Sequence, residues 1–194
     1  MTVSIQPRFA QIRLHTGLFL LSLGYAVLRY AVFGTVAWAQ LPVFLVNKAA
    51  ALYAILALAL LAWHHWRGQQ QLRGQTLVAV LAATVIHVLL SLMLMQPGYF
   101  PKLYSGPRLH FWAELALLCG ALALGFWQSP LPRSVVSRHR AQWLGAALSL
   151  AHVTCIGAPG WLKPETWPGN MPPITLICAL LTVLALLGLR VRRP

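Results

Sequence analysis

The chain has 194 residues, of which 59% are hydrophobic and 9% charged, and its mean hydropathy is +0.69. A soluble domain of this length cannot hide that much apolar surface, so the composition excludes one and predicts a single membrane bundle over residues 1–194. The net charge of +13 comes from lysines and arginines set singly between apolar runs, which excludes a continuous nucleic-acid face and leaves membrane orientation as its meaning.

The predicted fold is all-α, a polytopic bundle of about six transmembrane helices. A polar start containing Arg8 and Arg13 precedes the first span, at about 14–36, which carries Arg29. That span is too long for a signal peptide and reads as retained. A link with Gln40-Leu41-Pro42 leads to the second span, about 43–64, which holds Lys48 and ends in His64-His65-Trp66-Arg67. After a glutamine-rich loop the third span, about 76–96, carries His87 and stops at Gln96-Pro97-Gly98. The fourth, about 109–128, begins with His110 and contains Glu114. A basic loop around Pro130–Arg140 leads into the fifth, about 141–158, with His152. A proline-rich loop and the sixth span, about 174–189, complete the bundle, and each span approaches the roughly 20 residues needed to cross hydrocarbon.

With six spans, the N-terminus, the second and fourth loops and the C-terminus share one side. That side holds ten of the fifteen lysines and arginines, which predicts cytoplasmic termini. Tryptophans fall at both sets of span ends, as in an aromatic belt. Cys119, Cys155 and Cys178 stand alone in apolar sequence, without the spacing of a covalent heme or zinc motif, and read as small core residues.

Histidine is costly inside hydrocarbon. His87 lies 14 residues after Arg73, and His152 lies 12 after Arg140, on two spans that cross in the same direction. At 1.5 Å per residue both imidazoles sit roughly 20 Å beyond the basic ring, so one heme iron fits between them. Gly145, seven residues before His152 on the same face, would leave room for a flat porphyrin. The rival reading makes each histidine a hydrogen-bond donor to a neighbouring helix.

The spacings Arg73-x13-His87 and His139-Arg140-x11-His152, six spans, and the stretch I-H-V-L-L-S-L-M-L-M-Q-P-G-Y-F-P-K-L-Y resemble the ferric reductase-like transmembrane family. That family includes the heme-binding membrane subunit of the bacterial methionine sulfoxide reductase system. The resemblance covers most of the bundle. It implies a bis-histidine heme b and electron transfer across a membrane, with His87 and His152 at the ligand positions. Two-heme members carry an inner histidine where this chain has Arg73, so a second heme on His139 would need His64 or His65 as partner. Otherwise His139 is a solvated residue of a basic loop. His15 and His110 read as interfacial.

Arg29, Lys48 and Glu114 are the remaining expensive residues. They form an ion pair among themselves, or one cation holds a heme propionate, or the group frames a quinone headgroup. The chain carries no glycine-rich dinucleotide fingerprint, so a quinol or a separate flavoprotein must supply electrons. Loops 97–108 and 159–173 are rich in proline and predict either a packed cap or an outer-face platform for a redox partner or ferric iron. The expected setting is a bacterial inner membrane. A different class remains open: a small transporter or assembly factor that uses the intramembrane His, Lys and Glu without redox chemistry, or a heme-free scaffold.

Overall fold

The computed structural model describes residues 6–34, 41–128 and 135–190. The expected end of the first span at 36, Trp38, the first half of the basic loop and the tail arginines Arg192 and Arg193 lie outside the described residues. Helix α1 (Gln6–Ala26) continues into a π-helical turn, Val27–Val32. Then come α2 (Leu41–Trp66), α3 (Gln70–Met93), α4 (Phe111–Gln128), α5 (Val135–Trp161) and α6 (Ile174–Arg190). A two-residue antiparallel pairing, β1 (Tyr104–Ser105) with β2 (Arg108–Leu109), turns at Gly106, whose φ of +62° favours glycine. Among the described residues the fold is all-α with six helices. Four segments, within α2, α3, α5 and reaching α6, are long and apolar enough to cross a membrane, which points to an integral membrane protein. Helix α4 is apolar but shorter, and α1 opens on a polar stretch.

Each helix lies where a span was expected, but α1 starts at Gln6 rather than about 14, α3 starts at Gln70 so that most of the expected glutamine-rich loop is helical, and α5 differs at both ends. Helix α5 starts at Val135, so His139 and Arg140 are helical rather than in a loop. Arginine, glutamine and histidine do not break helices, and polarity alone is not a stop signal. The same helix also runs through Pro159 to Trp161, because a proline near the last turn forfeits one backbone hydrogen bond without ending the coil.

Burial runs against the soluble pattern. The interior takes alanines such as Ala49, Ala57, Ala62 and Ala146 together with the polar Ser22, Asn47, Thr76 and Thr182. Large apolar side chains such as Met93 (72% exposed) and Val78 (66%) face outward. Small residues let helix backbones approach closely, which suits packing in lipid, where apolar side chains gain nothing by hiding. Helix α2 packs on α1, α3 and α6; α6 packs on α5, and α5 on α4. The result is an open ring, α3–α2–α6–α5–α4, closed lightly between α4 and α3, with α1 outside against α2.

One end of the ring gathers His64, His65, Arg73, His139, Arg140 and Arg190; the other carries the loops. At the loop end the segment before α6 is tied down. Tyr25 donates to the Pro172 carbonyl at 2.5 Å, Arg29 donates to the Met171 carbonyl, and Trp167 donates to the Gly160 carbonyl at 2.9 Å. Gly169, with φ of +57°, accepts Phe33 against its backbone, where a Cβ would stand 2.5 Å from the ring. The loop is a packed cap.

Candidate functional site

Helix α3 buries a stripe, Thr76, Val80 and Ala83, at the 3–4 spacing of one helical face. His87 continues that stripe and meets Asn47 of α2, with Nδ1 donating to Oδ1 at 2.6 Å. Ser91, one turn on, donates to the same oxygen at 3.2 Å. Asn47 is fully buried, and its Nδ2 has no partner among the described residues. With Oδ1 of Asn47 as the shared acceptor, the His87 proton sits on Nδ1.

The opposite wall is built by α4 and α5. Ala113, Ala116, Gly120, Ala123 and Trp127 follow one another at steps of three and four along α4, a seam that receives α5. His152 of α5 donates from Nδ1 to the Ala116 carbonyl at 2.7 Å. A carbonyl can only accept, so this imidazole also carries its proton on Nδ1. Gly120 makes the approach feasible: a Cβ there would stand 2.9 Å from His152 Nδ1.

Lys48 follows Asn47, the partner of His87, on α2. The helices of His87 and His152 are tied at the arginine end, where Arg73 of α3 donates to Gln142 of α5. Counted from that tie, His87 is about 21 Å along its helix and His152 about 15 Å. Both rings thus lie well along their helices from the arginine end. Both keep Nδ1 bound to oxygen and leave Nε2 as the basic nitrogen. That donor set would suit a heme iron, since a metal-ligating histidine characteristically donates its other N–H to an oxygen. No group of three histidines, cysteines or acids able to hold a bare metal ion occurs among the described residues.

Other expected positions are used differently. The bare face of Gly145 lies against the Trp127 indole, to which a Cβ would come within 2.8 Å, so the glycine lets α4 and α5 pack closely. The expected ion pair of Glu114 with Lys48 or Arg29 does not form among the described residues. Glu114 sits exposed in the first turn of α4, where the helix N-terminus and water suit a carboxylate. Lys48 instead lies over the faces of Phe44 and Phe100, 4.9 and 4.8 Å from the ring centres. Buried Arg29, beside the Tyr30 ring, has its Nε unpartnered.

At the arginine end His139 stacks on His65, with centroids 5.1 Å apart, and His64 Nδ1 bonds Gln69 Oε1 at 2.8 Å. His15 bonds the Tyr53 hydroxyl at 3.0 Å, inside the α1–α2 seam rather than at an interface. His110 caps α4, accepting from the Ala113 N–H at 3.1 Å.

Sequence reasoning missed Asn47, Ala116 and Gly120. Asn47, a lone amide in an apolar run beside Lys48, was the one visible signal; the carbonyl and the glycine depend on which helices become neighbours. The sequence matches no family model and no curated protein.

Proposed function

We propose that this chain is a heme b-binding integral membrane protein that carries electrons across the membrane, similar in kind to the ferric reductase-like transmembrane family, with six crossings and cytoplasmic termini. The observation that carries the reading is the matched state of His87 and His152: Nδ1 held by oxygen on both, Nε2 basic on both. Neutral imidazoles on opposing helices, locked in tautomer by Asn47 and the Ala116 carbonyl, are suited to hold iron from both sides. A heme bound there supplies one-electron exchange between ferric and ferrous iron.

Lys48 stands next to Asn47 on α2, and no carboxylate pairs with it among the described residues. It therefore offers its charge to a heme propionate, and Arg29 offers a second cation toward the loop end. A second heme on His139 would have to part that ring from His65, on which it stacks, while His64 keeps its Nδ1 on the Gln69 oxygen. Electrons would enter from a quinol or a separate flavoprotein and leave at the loop end, where the tied-down cap gives an acceptor a fixed surface. The transporter or assembly-factor reading needs no pigment.

The test is the heme-to-protein ratio of the chain purified from heme-replete cells, compared with His87→Ala and His152→Ala. A ratio near one that collapses in both variants supports the proposal. Colourless wild-type protein overturns it. In oriented vesicles, pre-reduced protein should be oxidised by a membrane-impermeant acceptor from the loop end only; oxidation from the arginine end would reverse the direction assigned here.

A further inference from the structure

At the arginine end a cleft of about 350 Å³ opens between the start of α5 and the end of α6. It is lined by His139, Arg140, Trp143, Leu144 and Arg190. The two guanidiniums come from different helices, and both are exposed. The whole chain contains two acidic residues, Glu114 and Glu165. Glu114 begins α4, and Glu165 lies in the loop between α5 and α6, so both stand at the opposite end of the bundle. Neither acidic side chain therefore stands near Arg140 or Arg190, which leaves both guanidiniums open to an anion from outside the bundle.

The walls say which kind. Trp143 and Leu144 are 39% and 40% exposed on the outward side of α5, directly above the arginine level. Tryptophan at this height marks the boundary between headgroups and hydrocarbon. A ligand seated here would meet two fork-shaped guanidiniums at one end and an indole with a leucine at the other. A planar guanidinium binds phosphate oxygens in pairs. Basic clefts between helices at the cytoplasmic surface are suited to anionic lipid headgroups.

We propose that the α5–α6 cleft is a binding site for the phosphodiester headgroup of an anionic phospholipid. Arg140 and Arg190 grip the phosphate, and the acyl chains run down the outer face of α5 past Trp143 and Leu144. The site is independent of the histidine pair, which lies deeper in the bundle.

The test uses the full chain in neutral detergent, titrated with short-chain phosphatidylglycerol or phosphatidylcholine and read by native mass spectrometry. Wild type should prefer phosphatidylglycerol by at least about tenfold, given two arginines near a surface phosphate. The preference should vanish in R140Q/R190Q, persist in weakened form in R140K/R190K, which keeps the charge and loses the paired bonds, and survive in the loop-end control K102Q/R108Q. Circular dichroism confirms that the variants fold; if the double variant does not, R190Q alone should lose about fivefold. A folded R140Q/R190Q that keeps the preference overturns the proposal. Displacement of the lipid by equimolar inorganic phosphate overturns it in favour of a free-anion site, and displacement by an acidic peptide in favour of a protein partner. Heme content is a separate readout, so failure of the histidine reading leaves this result unaffected.

Discussion

His87 and His152 reach across to different neighbours, each through Nδ1 to an oxygen, and each keeps Nε2 in reserve. His65 and His139, on α2 and α5 at the arginine end, face each other as stacked rings 5.1 Å apart. Both pairs join helices that a linear reading can only suspect of meeting. They differ in what the ring edges do. In the deeper pair an asparagine and a backbone carbonyl set the proton; in the shallower pair the two rings fill the space that a ligand between them would need. Histidine number and spacing do not distinguish the two pairs, whereas the partners of the rings do.

The largest effect should separate the pairs outright. Substituting alanine at His87 or His152 should reduce heme, measured as pyridine hemochrome per protein, to below about a tenth of wild type, because one axial bond is lost. His65→Ala and His139→Ala should retain most of it. Next in size is the seam behind His152. Gly120→Val should displace the imidazole and lose most of the heme, since even a methyl would sit 2.9 Å from Nδ1. Gly125→Val, where nothing lies within 4 Å, should leave heme content unchanged.

A smaller loss is expected from Asn47→Leu, which keeps the volume and removes the acceptor. Heme affinity should fall about 10- to 100-fold in a heme-transfer titration, the usual cost of losing a hydrogen bond behind a metal ligand. Lys48→Met should keep the heme and lower its midpoint potential, because removing a nearby positive charge favours ferric iron. At about 10 Å and an effective dielectric of about 20 the change is on the order of 1–2 kcal/mol, or tens of millivolts in a redox titration. The smallest effect lies outside both pairs. Arg29→Met should leave the Met171 carbonyl without its donor, lowering thermal stability by about 1–3 kcal/mol while the heme is retained.

The sequence was most legible where composition acts alone. Six apolar runs bounded by glycine, proline and charge predict six helices, and two imidazoles in apolar surroundings stand out by their desolvation cost. It was least legible where neighbours matter. Nothing in the period of α4 says that Ala116 will lend its carbonyl to α5, or that Gly120 clears the approach; those roles exist only once α4 and α5 pack. Gly145 shows the converse. Its place on the His152 face was readable, but the indole that fills the space belongs to another helix. Glu114 was paired on paper because acids are scarce, yet the start of α4 at Phe111 puts it in an exposed first turn. The basic stretch before His152 looked like a loop because it is polar, but it contains no helix breaker after Pro132.

The most direct test of the central claim is the low-temperature electron paramagnetic resonance spectrum of the purified, oxidised protein. Two imidazoles on one iron predict a low-spin, six-coordinate ferric signal that is lost in both His87→Ala and His152→Ala. A high-spin ferric signal in the wild-type protein, or no heme signal, would contradict it.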